Sequence, residues 1–147
     1  MDSDIGIKLI MNAISQKINE VFGNEYNIEI SEVKQGYKAP CFFINLYNSA
    51  RQHYRGNRYK YTLNFDIIGF SENDDSTKLR EMSEKLYEIE YITLENNDKL
   101  RCMNTSSKIE DDALHFMFSI NPFIYINGTS QAEEMEELSV EGGLNNA

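Results

Sequence analysis

The chain has 147 residues and a formal net charge of −10, a size that fits one domain. Hydrophobic residues make up 41%, which allows a packed core and excludes a disordered chain. No apolar run reaches the ~20 residues of a membrane span, and the opening residues lack the pattern of a signal peptide. Cys41 and Cys102 stand far apart, so we expect free thiols, a reducing compartment and no structural metal.

Basic and acidic residues are segregated along the sequence. Between Val33 and Phe65 there is no Asp or Glu. That stretch holds six of the basic residues: Lys34, Lys38, Arg51, Arg55, Arg58 and Lys60. The rest of the chain is therefore more acidic than the net charge indicates. A chain with this balance repels phosphate on average, which disfavours sequence-specific binding of nucleic acid.

Hydrophobic periodicity predicts a helix and three strands in the first half of the chain. Apolar residues recur every three or four positions over residues 4–22, which is typical of a helix that covers a sheet. Alternation over residues 26–31 predicts a half-buried strand. Residues 41–47 are apolar on both faces, as in a central strand. Regular alternation follows from Arg58, with tyrosines on one face and Arg58 and Lys60 on the other.

One helix and two strands are predicted in the second half. The helix buries a stripe of four apolar residues: Leu79, Met82, Leu86 and Ile89. Residues 100–108 predict a weaker strand, and residues 114–120 alternate as a strong final strand. Pro122 indicates that this strand has ended or lies at an edge.

Together these elements predict an α+β fold, with a mixed, mainly antiparallel sheet and two helices packed on it. Two of the strands form a long antiparallel hairpin around Gly56 and Asn57, and its basic tip projects from the domain body. We expect a single domain over residues 1–126. Residues 127–147 form an acidic C-terminal tail with five Glu and no Lys or Arg.

The sequence carries no recognisable catalytic or metal-binding pattern. A phosphate-binding loop, a nucleophile elbow and a zinc-protease motif are all absent from it,. The carboxylate clusters lack the alternating spacing of a calcium loop. His115 lies on the polar face of the last strand, and its pairing with either cysteine has no spacing signature. We therefore expect no catalytic residue, cofactor or metal, and the sequence favours a protein that is not an enzyme.

The basic segment over residues 51–61 is consistent with three interpretations. Its mixture of cations and aromatic rings is typical of a surface that binds single-stranded nucleic acid. It also fits an amphipathic hairpin whose tyrosines enter the core and whose bases face water. In the third interpretation the basic patch of one copy docks on an acidic patch of the next, and repeated contacts close a ring or extend a fibre. Arg and Tyr are enriched at the hot spots of such interfaces.

Several short motifs resemble those of small tail terminator proteins of Gram-positive phages, prophages and phage-tail-like bacteriocins. The resemblance rests on Gln35-Gly36, Pro40-Cys41-Phe42-Phe43-Ile44, Arg58-Tyr59, Phe65-Asp66-Ile67 with Phe70, and Leu114-His115-Phe116 after an acidic turn. It covers residues 7–125. It implies a structural subunit that forms a homohexameric ring, caps the head-proximal end of the tail tube and stops tube polymerisation.

The resemblance also implies partners and a location. The partners are the tube protein, the sheath protein if the tail is contractile, and a head-completion or neck protein if a head exists. In a headless bacteriocin the ring would form the collar end. The subunit would be assembled in the bacterial cytoplasm and reside in the virion or particle, with no membrane partner. The alternatives are another phage neck or connector protein and a small nucleic-acid-binding accessory module.

The charge segregation predicts two contact surfaces, because opposite charges steer association and fix its register. The hairpin is expected to contact a neighbouring subunit or the tube. The residues involved are Arg51, His53, Tyr54, Arg55, Arg58 and Lys60. The acidic tail is expected to contact a partner chain, such as the sheath. Its contact residues are Glu133, Glu134, Met135, Glu136, Glu137 and Leu138.

Overall fold

The computed structural model describes residues 3–126, with side chains from Gly6 onward. Helix α1 spans Ser3–Phe22, and helix α2 spans Ser76–Tyr87. Both helices were predicted from the spacing of their apolar residues. The buried side chains follow that spacing: Ile10, Ala13, Ile14 and Ile18 in α1, and Leu79, Met82 and Leu86 in α2.

Helix α2 begins where the sequence offers a capping side chain. The carboxylate of Asp75 accepts hydrogen bonds from the backbone N–H groups of Thr77 and Lys78, at 3.0 and 3.4 Å. These bonds satisfy donors that have no partner inside the helix. The helix therefore starts at a defined residue and presents its apolar stripe to the sheet.

The described chain contains eight strands. They are β1 (Asn27–Glu29), β2 (Cys41–Arg55), β3 (Arg58–Phe70), β4 (Tyr91–Thr93), β5 (Lys99–Arg101), β6 (Met103–Glu110), β7 (Ala113–Ile120) and β8 (Phe123–Tyr125). The main sheet has the order β1-β2-β3-β7-β6, and β8 pairs with β3. Strand β1 is parallel to β2, while the other pairs are antiparallel. Strands β4 and β5 form a separate small hairpin. The α+β prediction with a mixed, mainly antiparallel sheet is thus confirmed.

The two faces of the main sheet have different coverings. On the helix face, residues of α1 and α2 pack against Phe42, Phe65 and Phe116 in one large core. The other face, called the open face, carries a small cluster of Cys41, Phe43, Ile68 and Ala113, to which no described helix residue belongs. The helices therefore stabilise the sheet from one side only.

Several strand boundaries predicted from the sequence differ from those in the structure. Strand β2 continues to Arg55, well beyond residue 47, because its polar half pairs with β3 along its whole length. The single strand predicted over residues 100–108 is divided between β5 and β6, which belong to different sheets. Strand β8 begins directly after Pro122, where the sequence indicated an end or an edge of the last strand. Each of these strands is defined by pairing with another segment, which periodicity alone does not report.

Candidate assembly interface

The distal half of the β2–β3 hairpin extends past most of the main sheet. Strand β7 pairs with residues 63–69 of β3, and β8 pairs with residues 58–60. Strand β1 reaches β2 only at residues 41–43. We call residues 48–62 the arm. Strand β8 covers the β3 edge of the arm, whereas its β2 edge has no neighbouring strand in the part of the chain that the structure describes.

A β-bulge at Tyr47 determines which side chains of β2 lie on each face of the arm. Leu46 pairs with Phe65, but Asn48 pairs with Asn64, so Tyr47 has no partner on β3. The extra residue reverses the alternation of β2 over residues 48–53, and a second register shift follows between His53 and Arg55. As a result, the side chains of residues 48–53 lie on the opposite face from the one that regular alternation would predict.

The bulge brings two of the predicted contact residues onto the helix face of the arm. Arg51 is opposite Tyr61, and His53 is opposite Tyr59. The guanidinium of Arg51 lies 4.3 Å from the centroid of the Tyr59 ring, and its Nη1 donates a hydrogen bond to Oη of Tyr61 at 3.2 Å. Nε2 of His53 lies 2.6 Å from the carbonyl oxygen of Gly56. The expectation that all bases lie away from the tyrosine face is therefore wrong for Arg51.

Two other basic side chains of the arm lie over one aromatic ring contributed by β8. The guanidinium carbon of Arg58 lies 3.8 Å from the centroid of Phe123, and Nζ of Lys60 lies 5.5 Å from it. Tyr54 meets the same ring edge-on at 5.1 Å between centroids. These contacts are cation–π and aromatic pairs, which fix the cations in place without neutralising their charge.

The tip of the arm concentrates uncompensated positive charge. Arg55 and Arg58 are directly opposite each other across the hairpin. Like charges in that arrangement destabilise a strand pair. Among residues 3–126, the ion pairs lie elsewhere, and none involves a basic residue of the arm. Arg58 also has a buried Nε with no hydrogen-bond partner in the described chain.

The structure places the predicted hairpin residues together, and their role as contact residues stays a prediction. All six predicted hairpin residues lie in the arm. The four on β2 are exposed: Arg51, His53, Tyr54 and Arg55. The other two, Arg58 and Lys60, lie on β3. The predicted tail contacts, residues 133–138, lie outside the described residues. Sequence reasoning missed Phe123, which organises the open face of the tip. No local pattern indicated a strand at Phe123, because that strand is defined by its pairing with β3.

The two cysteine thiols lie in surroundings that lower their reactivity. Burial raises the pKa of Cys41 to about 11, with a smaller contribution from the charge of Glu29. Burial likewise raises the pKa of Cys102 to about 11, against an opposing effect of Lys17. Thiols of this kind are protonated and weakly nucleophilic at neutral pH. Both are free thiols.

The described residues offer no metal centre and no membrane span. No group of three or more His, Cys, Asp or Glu within residues 3–126 is arranged to hold a metal ion. No helix in that range is long and apolar enough to cross a membrane. His115 pairs with Asp66 on the open face and contacts neither cysteine through a hydrogen bond.

The described residues thus form a small α+β domain with a helix-backed sheet and a projecting basic arm. A family model described as phage tail terminator protein matches residues 9–132. The chain belongs to this family, as its short motifs indicated, and so has a structural role in a phage tail. No curated protein matches the chain.

Proposed function

We propose that this chain is a tail terminator subunit whose copies form a hexameric ring at the head-proximal end of the tail tube. The ring binds the last tube subunits and prevents the next layer from adding. It meets the sheath if the tail contracts, and a neck protein if a head exists. The family membership supports a role in the tail, and the arm supplies the surface for contacts between chains.

The observation that carries this proposal is the unpaired charge at the tip of the arm. Arg55 faces Arg58 with no carboxylate partner in the described chain, an arrangement that costs stability in an isolated subunit. The cost is offset when an acidic surface of another chain contacts the tip. We propose that the arm meets a neighbouring subunit or the tube, and that residues 133–138 of the tail meet a partner chain such as the sheath.

The geometry supports assembly better than single-stranded nucleic-acid binding. Stacking of bases requires aromatic rings with a free face. Tyr59 is covered by Arg51, Tyr61 is buried, and Phe123 is surrounded by Arg58, Lys60 and Tyr54. Tyr59 and Phe123 therefore hold cations of the arm itself, while Tyr54 and Phe123 stay 49% and 38% exposed.

Charge reversal in the arm tests the proposal. The variant Arg51→Glu, Arg55→Glu, Arg58→Glu is compared with a control that reverses three exposed bases elsewhere, Lys8, Arg80 and Arg101. Each variant is expressed with the tube protein, and rings and tube lengths are measured by sedimentation and negative-stain microscopy. We expect the arm variant to lose ring formation and to leave tubes unlimited in length, while the control retains both.

The single variant Arg55→Glu separates a loss of assembly from a folding defect of the triple variant. Arg55 is exposed and makes no packing contact comparable to that of Arg51, so Arg55→Glu should keep the native circular dichroism spectrum. It should still weaken the ring. Normal rings and tubes of normal length with both the single and the triple variant would overturn the proposed role of the arm.

A further inference from the structure

The main sheet has two free edges within the described chain. On one side, β2 pairs only with β3 beyond Phe43. On the other side, β6 is the last strand of the sheet and pairs only with β7. Along each edge, alternate backbone N–H and C=O groups therefore point away from the sheet. Such edges pair readily with other chains unless charge, proline or a covering segment blocks them.

Each free edge has one regular stretch, and the two stretches are similar in length. In β2 the stretch covers residues 48–53, between the bulge at Tyr47 and the register shift before Arg55. In β6 it runs from Ser106 to Glu110, because the register shifts between Met103 and Ser106. At the rise of a strand the two stretches span roughly 20 and 17 Å. One can therefore pair with the other over nearly its whole length.

Both edge strands expose large hydrophobic side chains that the described fold leaves uncovered. On β2 they are Tyr47 and Tyr54, which are 53% and 49% exposed. On β6 they are Met103 and Ile109, which are 41% and 38% exposed. Strand β6 contains no proline, and its residues 103–107 carry no charge. Both edges thus have apolar surface that a further strand would cover.

Opposite charges lie just beyond the ends of the two stretches. Strand β2 ends at Arg55, which is opposite Arg58 and has no carboxylate partner among residues 3–126. After Glu110 the chain turns through Asp111 and Asp112, and neither takes part in an ion pair in that range. Charges of opposite sign at the ends of two surfaces fix the register in which the surfaces meet. Here they also fix the relative direction of the strands.

We propose that the β2 edge of one copy pairs in parallel with the β6 edge of a second copy. Both stretches then run toward the same end, which brings Arg55 of the first copy beside Asp111 and Asp112 of the second. The contact is heterologous, so each copy offers a different edge to each neighbour and the sheet continues from copy to copy. This inference rests on the proposed function for the contact of the arm with a neighbouring subunit.

The charges disfavour the two competing arrangements. Antiparallel pairing of β2 with β6 has somewhat better hydrogen-bond geometry. It places Arg55 at the Ser106 end of β6, however, where residues 103–107 have no charge. Pairing of two β2 edges brings two basic arms together, and residues 48–55 contain no carboxylate to separate them. Like charges in that position are destabilising, so only the parallel arrangement pairs the arginine with carboxylates.

An exchange of charges between the two edges tests the contact. Arg55→Glu reverses the charge of the arm, and the variant E110K/D111N/D112N reverses that of the turn. Asn is used at positions 111 and 112 because both have a positive φ, which Asn tolerates. Each variant alone should raise the dissociation constant of self-association about tenfold or more, as measured by sedimentation. An equimolar mixture should associate like the wild type, because the substituted arm meets the substituted turn and the native arm meets the native turn.

Two control variants make the same changes in net charge at exposed positions on and just after helix α1. Lys8→Glu matches the arm variant, and E20K/E25K matches the turn variant. Both should self-associate like the wild type. A mixture that fails to associate, equal weakening by the controls, or a wild type that stays monomeric at roughly millimolar concentration would overturn the proposal.

Zero-length cross-linking tests the direction of the strands. Arg55→Lys introduces an amine at one end of the β2 edge, and Asn48→Lys introduces one at the other end. Carbodiimide couples contacting amines and carboxylates in a 1:1 mixture of ¹⁴N and ¹⁵N protein, and mass spectrometry identifies the products. We expect position 55 to couple to residues 110–112 in isotopically mixed peptides, and position 48 not to couple to them. Coupling at position 48 instead, coupling only within peptides of a single isotope, or no coupling would each contradict the proposal.

Both experiments use this chain alone, so their outcome is separate from that of tube capping. If the edges do not pair while rings still limit tube length, the inference fails and the proposed function stands. If the edges pair and tube length is not limited, the contact between copies stands and the proposed capping fails.

Discussion

Nδ1 of His115 lies 2.9 Å from Oδ2 of Asp66 on the open face of the main sheet. The two side chains are 24% and 17% exposed, and the other carboxylate oxygen of Asp66 is buried without a partner in the described chain. This pair joins β3 to β7 at the base of the arm. It therefore helps to hold the strand from which half of the arm extends.

Removal of the histidine should destabilise the domain measurably. In His115→Ala, Asp66 keeps its partly buried position and loses its hydrogen-bond partner, which costs about 1–3 kcal/mol in the free energy of unfolding. Lys108→Ala is the control, because its ion pair with Glu110 is exposed and is worth less than about 1 kcal/mol. Urea unfolding measures both, and equal effects would contradict a structural role for the pair.

Arg51 and Arg55 should differ in their contributions to folding. Arg51→Ala loses a cation–π contact with Tyr59 and a hydrogen bond to Tyr61, together worth about 1 kcal/mol. Arg55→Ala removes an exposed charge and should change the free energy of unfolding by less than about 0.5 kcal/mol. Urea unfolding at ~1 M salt, where surface charges are screened, makes the comparison. A larger effect at Arg55 would argue against the bulged register.

Gly69 should not tolerate a side chain. A Cβ at this position would lie 3.0 Å from both Cε of Met82 and Cε1 of Phe42. Overpacking of this kind costs about 1–3 kcal/mol, so Gly69→Ala should lower the thermal midpoint. Ser49→Ala, at an exposed position of β2, is the control and should leave the midpoint nearly unchanged. An unaltered midpoint in Gly69→Ala would show that the side chains of Met82 and Phe42 shift to make room for the added methyl group.

Both thiols should react slowly in the folded protein. A pKa of about 11 for Cys41 and Cys102 leaves roughly a hundredfold less thiolate at pH 8 than an unperturbed cysteine has. We expect iodoacetamide to modify neither thiol rapidly until guanidinium unfolds the chain, as followed by intact mass. Since burial raises these pKa values, the associated stability is present below pH ~9 and falls as the pH rises toward ~11. Rapid alkylation of Cys102 in the native state would contradict its burial.

Elements with a regular local spacing of apolar residues were predicted from the sequence. Features that depend on how the strands pair were not. The stripe of Leu79 and Met82 identified α2, because helical burial recurs at a fixed spacing. The faces of Arg51 and His53 were not predictable, because the Tyr47 bulge has no local signature and reverses the side chains of residues 48–53,. Phe123 was missed for a related reason, since a short strand after a proline is defined only by its partner.

One edge of the arm is closed by β8, and the other is open within the described chain. The arm can therefore accept one added strand, from one side, and the right-handed twist of the hairpin fixes how that strand must approach. A single open edge gives an added strand one position on the arm and one side from which to reach it.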